Sequence, residues 1–273
     1  ITDMTPPPLL TALRNSVLVI RFNNPKRLNS WTVPVLQGLF QELRKASNDD
    51  NIKAAVLTGT GSYYSSGVDF AGALKPMAPS KFLVAAKEKN QEIFDAFLDF
   101  PKPIVAAVNG PAIGAPVTSA TLCDAIVAAP EATFMTPFKR LGIVPEGCSS
   151  VWFEHLMGAA VAEDMLERGR KLDANEALEH GFIQQIVPGD KLLDAAVDLA
   201  QEFAAQGIEK RVAAYGVDKL KQVNSDESAA LAKAFLSKPF LEAQYNFNKD
   251  KGKTQAAALF WFLKTTNPLW IPK

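Results

Sequence analysis

The sequence predicts an alternating α/β fold followed by a helical C-terminal region. Three observations predict it. Runs rich in β-branched or small apolar residues, at 16–22, 52–57, 104–108 and 124–128, read as strands. Helix-period patterns lie between them, as with Leu36, Leu39, Phe40 and Leu43 at i, i+3, i+4 and i+7. The connections are short and rich in turn residues, which suits strand–helix–strand units.

Taken in order, residues 1–11 hold the Pro6-Pro7-Pro8 run and read as an extended lead-in. The strand at 16–22 ends in Asn23-Asn24-Pro25 turn chemistry. The first helix closes at Ser47-Asn48-Asp49-Asp50-Asn51, and the strand at 52–57 runs into a Thr58–Ser62 turn with two glycines. A helix over 80–100 carries Ile93, Phe94, Phe97 and Leu98 on one side. Short helices are expected at 160–168 and 173–180, with Gly181 as the stop. A short strand at 182–187 follows, and from Lys191 onward the pattern is helical. The expected division is a core over 1–190 and a helical region over 191–273. The aromatic end of that region, Phe235 to Trp270, would pack on a neighbouring subunit or cover a site.

Residues 103–123 carry no charge. A membrane span is excluded because Pro103, Pro111, Pro116, Asn109, Gly110 and Gly114 would interrupt it. The stretch reads instead as a buried strand, an Asn109-Gly110-Pro111 turn and a helix starting near Ile113. The first turn of such a helix offers free N–H groups and the positive end of a dipole, a place to hold an oxyanion. Further on, Glu146 is a lone carboxylate among apolar and small residues. Pro145 and Glu146 also suit a helix start on their own account.

Composition narrows the function classes. The 273 residues are 48% hydrophobic and carry 29 basic and 29 acidic side chains. A net charge of zero gives no field to recruit nucleic acid or an anionic membrane, and it is compatible with self-association. Cys123 and Cys148 lie in apolar surroundings and read as free buried thiols. With only His155 and His180 present, a His-centred triad or a His-rich metal site is not expected. The last residues, Leu269 to Lys273, are not a Ser-Lys-Leu address, though they stand one residue short of a Pro-Lys-Leu-like variant.

Three stretches carry chemistry: YSSGVDF at 64–70, NGPAIGA at 109–115 and LGIVPEG at 141–147. Each alone reads as a turn or a helix start. With KRLNS at 26–30 and LCDAIVAAPEATF at 122–134, their order resembles the crotonase (enoyl-CoA hydratase/isomerase) superfamily. The resemblance runs from about residue 16 to residue 187. It implies a spiral of ββα units with a helical C-terminal region, assembled as a trimer or hexamer, binding acyl-CoA thioesters and stabilising an enolate. It implies an oxyanion hole made by the N–H groups of Ser66 and Ala115. CoA contacts would come from Lys26, Arg27 and Leu28, and from Ser65, Ser66, Gly67, Val68, Asp69 and Phe70, with Ala115.

The positions matching the two hydratase glutamates are Thr118 and Phe138, so hydration is not expected. The PEGCSS segment resembles peroxisomal Δ3,Δ2-enoyl-CoA isomerases, in which the matching carboxylate is the base, here Glu146. The implied reaction converts a 3-enoyl-CoA to a 2-enoyl-CoA in fatty-acid β-oxidation, without metal or redox cofactor; coenzyme A is part of the substrate. The alternatives are another crotonase reaction (hydratase, dienoyl-CoA isomerase or acyl-CoA hydrolase) or a non-catalytic acyl-CoA-binding member. The implied location is peroxisomal, with mitochondrial or cytoplasmic as alternatives.

Overall fold

A computed structural model describes residues 7–69 and 77–270. Its main sheet has six strands in the order β1-β2-β3-β4-β6-β9. These are β1 (Leu9–Arg14), β2 (Val17–Phe22), β3 (Ala54–Gly59), β4 (Ile104–Val108), β6 (Ala125–Ala128) and β9 (Gln185–Ile186). The first pair is antiparallel and all later pairs are parallel. A second sheet has the order β5-β7-β8, from Ala112–Ile113, Thr133–Met135 and Lys171–Asp173. Helices α1 (Val33–Asn48), α2 (Pro79–Leu98) and α3 (Ala115–Thr121) make the early crossovers. Then come α4 (Ser149–Met157), α5 (Ala159–Glu167), α6 (Ala174–Glu179), α7 (Leu192–Gln206), α8 (Val217–Ala234), α9 (Lys238–Asp250) and α10 (Thr254–Trp270).

Both faces of the main sheet are covered, which is why its parallel strands are continuously apolar. Leu18, Ile20, Phe22, Leu57, Ile104, Val108 and Ile126 point into the large core with α1, α2 and α4. The alternate residues Val17, Val19, Val56, Val105 and Val127 meet Leu192, Ala196, Val197 and Ala200 of α7 on the other face. The first helix past residue 190 therefore closes the back of the sheet. Alanines at 196 and 200 let its axis come close.

The structure corrects several boundaries. Residues Leu9–Arg14, from the end of the lead-in onward, form a strand, β1, joined to β2 by a two-residue turn in which Asn15 and Ser16 have φ of 47° and 65°; such turns match the twist of a hairpin. The segment expected to begin a helix near Ile113 first forms β5, and the helix begins at Ala115. The helix expected at Pro145 begins at Ser149, because Gly147 and Cys148 both adopt left-handed backbone. The strand expected at 182–187 shortens to Gln185–Ile186. The short strands β7 and β8 have no counterpart in the sequence reading. Among the described residues, no helix is long and apolar enough to cross a membrane.

Candidate active site

Three connections converge on a cleft of about 690 Å³. The first is the 3-10 turn Pro25–Arg27 with Leu28 and Asn29, both left-handed. The second is the loop after β3, and the third is the β4–α3 connection. Two asparagines hold the loop after β3. Asn29 donates from Nδ2 to the carbonyls of Thr60 (2.9 Å) and Tyr63 (2.7 Å). Asn109 accepts from the Gly59 N–H (2.9 Å) and donates to the Gly61 carbonyl (2.9 Å). These side chains substitute for sheet partners in segments that leave the ladder.

The second and third connections run side by side. Ser65 pairs in parallel with Ala112, and the Ile113 N–H donates to the Ser65 carbonyl at 3.0 Å. Two residues further along each chain stand Gly67 and Gly114. A Cβ on Gly67 would lie 2.9 Å from the Ile113 carbonyl oxygen, and its φ is +95°. Only glycine fits this approach.

Here the expected oxyanion donors divide. The N–H of Ser66 donates to the Leu28 carbonyl at 2.9 Å. It is engaged in holding the loop, so Ser66 is corrected as a donor. Val68 instead forms a parallel bridge with Trp31, in which the Gly67 carbonyl and the Asp69 N–H face Trp31. Alternation along an extended chain turns the Val68 N–H the opposite way, toward the side where residues 112–115 run. It has no acceptor among the described residues. The Ala115 N–H, first in α3, is likewise without an acceptor, as the opening N–H groups of a helix are. Both residues line the cleft.

Glu146 lines the same cleft and is only 5% exposed. Burial pushes its carboxyl up from an ordinary 4.5 to about 7. The Asn90 amide, donating to Oε2 at 2.6 Å, opposes the rise, and the negative charge of Glu227 adds to it. Asn90 itself accepts from the Ser228 hydroxyl at 2.8 Å. That bond directs the amide oxygen to Ser228 and the NH₂ to Glu146. Ile143 lines the cleft beside Glu146, and its neighbours Val144 and Val151 pack partly buried against the core.

Of the other expected site residues, Lys26, Arg27, Leu28, Ser66, Gly67 and Asp69 line the cleft. Arg27 lies 3.6 Å from the Asp69 carboxylate. Ser65 departs from expectation. It is fully buried, and its hydroxyl donates to the Asn29 carbonyl at 2.7 Å. Phe70 lies outside the described residues. Thr118 is buried and Phe138 lines the cleft wall, so neither hydratase position carries an acid.

The sequence reading missed Asn90, Glu227 and the α9 residues Gln244 and Asn248, with Lys251 and Lys253 beyond them, whereas Phe247, also in the cleft, belongs to the aromatic stretch expected to cover a site or a neighbour. Lys251 and Lys253 bring positive charge to the same cleft as Lys26 and Arg27. All of these sit in or just after amphipathic helices, where a polar residue reads as a solvated face. Among the described residues, no group of three or more His, Cys, Asp or Glu side chains could hold a metal ion.

Comparison with known proteins gives the same framework. The family model described as enoyl-CoA hydratase/isomerase matches residues 12–251. Human "Enoyl-CoA delta isomerase 2" is 38% identical over 256 residues, covering 90% of this chain and 64% of that protein. The chain thus spans a little under two thirds of that relative's length. Mouse "Enoyl-CoA delta isomerase 3, peroxisomal" is 33% identical, covering 90% of this chain and 80% of that protein. A solved enoyl-CoA hydratase/isomerase from Pseudoalteromonas atlantica T6c superposes with a TM-score of 0.78 at 28% identity, over 89% of this chain and 97% of that one.

Proposed function

Because the chain belongs to the enoyl-CoA hydratase/isomerase family, we propose that it is a Δ3,Δ2-enoyl-CoA isomerase acting on cis- or trans-3-enoyl-CoA. The isomerase relatives support this reading over other reactions of the family. The observation that carries it is one buried carboxylate facing the same cleft as two backbone N–H groups that have no acceptor among the described residues.

Glu146 removes a proton from C2 of the acyl chain. The electron pair moves toward the thioester, whose oxygen becomes the oxyanion of a dienolate. The N–H groups of Val68 and Ala115 receive that charge. A donor of this kind lowers the barrier by about 2.7–4 kcal/mol in comparable sites. Glu146 then returns the proton to C4, giving trans-2-enoyl-CoA. A carboxyl held at about 7 suits both halves of the step, since it is a stronger base than a solvated glutamate and still ionises near neutrality. The reaction is redox-neutral overall and transfers one proton within the substrate, so it calls for no metal or redox cofactor.

The CoA moiety would lie along Lys26–Leu28 and Ser66–Asp69, with Lys251 and Lys253 available to its phosphates. A role in fatty-acid β-oxidation follows from the substrate. A peroxisomal location is supported by one relative's name. A trimer or hexamer is the proposed assembly.

Glu146→Gln tests the reading. Steady-state turnover of 3-enoyl-CoA should fall about 10⁴-fold, the upper end for a lone acid–base group. Calorimetric affinity for a saturated acyl-CoA should change little. Near wild-type turnover in the folded variant would overturn the single-base mechanism.

A further inference from the structure

The loop that carries Glu146 has an unusual shape. Gly147 and Cys148 follow it with φ of +67° and +65°, and α4 starts directly afterward. A Cβ on Gly147 would lie 2.5 Å from the Phe94 ring and 2.7 Å from Thr118 Oγ1. Cys148 is not glycine, and a left-handed backbone there is strained unless neighbours hold it. The start of α4 has no cap of its own, because Cys148 makes no side-chain capping bond.

The missing cap comes from α8, far along the chain. Glu227 accepts the Cys148 N–H at Oε2 (2.7 Å) and the Ser150 N–H at Oε1 (2.8 Å). It is 7% exposed. A carboxylate with two charge-assisted bonds to a helix start is a strong clamp. The carbonyl of Leu220, two turns earlier on the same face, accepts from Cys148 Sγ at 3.2 Å. The next residue, Ser228, orients Asn90 toward the Glu146 carboxylate. One face of α8 thus holds Glu146 from two sides, by its backbone and by its carboxylate.

We infer that Glu227 is a positioning residue for the base: its carboxylate clamps the left-handed Gly147–Cys148 turn that sets Glu146 in the cleft, and places a second negative charge behind it. The inference rests on Glu146 being the base. Besides Glu146, the Cys148 thiol feels the charge of Glu227, and the same thiol feels Asp95 of α2, which accepts from Asn224 of α8 at 2.9 Å. Burial raises the proton affinity of Glu227, and the two N–H bonds oppose that rise. Its charge is one of the causes that lift Glu146.

Glu227→Gln removes the charge and one of the two acceptors at nearly constant shape. Glu227→Asp keeps the charge but shortens the reach. In both, kcat should fall roughly tenfold to a hundredfold, as for a misplaced catalytic group. Affinity for a saturated acyl-CoA should stay near wild type, which also verifies the fold. The pH dependence separates the two parts of the role. The acidic limb of kcat/KM reports ionisation of the base in the free enzyme, near pH 7 in the wild type. In Glu227→Gln that limb should move to lower pH, so its rate relative to wild type rises as pH falls from 8 to 6. In Glu227→Asp the ratio should stay flat.

A purely structural Glu227 would lower thermal stability without moving the limb. A flat ratio in Glu227→Gln, or kcat within threefold of wild type, would overturn the inference. Turnover surviving in Glu146→Gln would instead overturn the base assignment, whatever Glu227 does.

Discussion

Replacing Glu146 by Gln should abolish turnover and stabilise the protein, and the gain should depend on pH. The carboxyl is raised from 4.5 to about 7 in the folded state, chiefly by burial. A raised carboxyl favours folding only while protonated. Its contribution is therefore fully present below pH 4.5, declines as pH rises, and is lost above about pH 7. A rise of that size corresponds to about 3 kcal/mol at 1.36 kcal/mol per pH unit. Gln keeps an oxygen to accept from Asn90 and has no charge to bury. The variant should match wild type near pH 4.5 and exceed it by up to about 3 kcal/mol at pH 8. With roughly 2–4 °C per kcal/mol for a chain of this size class, the melting temperature should rise by roughly 6–12 °C at pH 8. The assay is thermal unfolding of both proteins from pH 5 to pH 8, monitored by circular dichroism. A difference that stays flat across that range, or a variant less stable at pH 8, would refute the reasoning. The charged base would then be compensated by something other than the Asn90 amide.

Other perturbations test the rest of the cleft. Ala115→Pro deletes an acceptor-free N–H at the first position of α3, where proline is tolerated; turnover should fall a hundredfold or more with acyl-CoA binding retained, as single-turnover kinetics and calorimetry would register. Gly67→Ala forces a Cβ against the Ile113 carbonyl and should displace the Val68 N–H; turnover should drop at least tenfold and melting temperature should fall, and an unchanged variant would remove Val68 from the oxyanion hole. Trp261 and Phe262 are 52% and 57% exposed on α10; light scattering should give a trimer or hexamer, and Trp261→Glu should shift it toward monomer.

The strands and long helices were legible because their causes are local. On α2 the pattern at Ile93, Phe94, Phe97 and Leu98 marks the buried face directly. Strand β1 was not, because five of its six residues are exposed and nothing in LLTALR signals pairing. The late start of α4 was hidden for a different reason. Pro145 and Glu146 look like a helix opening, and only the contacts of Gly147 with Phe94 and Thr118 show why the chain turns left-handed first. The ordered motifs brought the right segments to the cleft, but assignment within them needed hydrogen bonds. Ser66 and Val68 stand two apart in one loop, and the Leu28 carbonyl, some 40 residues away, decides which N–H is free. Asn90 and Glu227 act on Glu146 across 56 and 81 positions of chain, a distance at which an amphipathic helix pattern is silent.

The close seat of Gly147 over Thr118 bears on how chemistries can interchange within this fold. Thr118 Oγ1 donates to the Ala115 carbonyl at 3.1 Å, inside the turn that presents the second oxyanion donor. A glutamate at position 118 would have to grow into the volume already filled by the Gly147 turn and the Phe94 ring. A carboxylate at position 118 and the present course of the turn at 146–148 are therefore rivals for one space. Thr118→Glu alone should therefore shift the Gly147 turn, and Glu146 with it, rather than seat a second carboxylate beside the first.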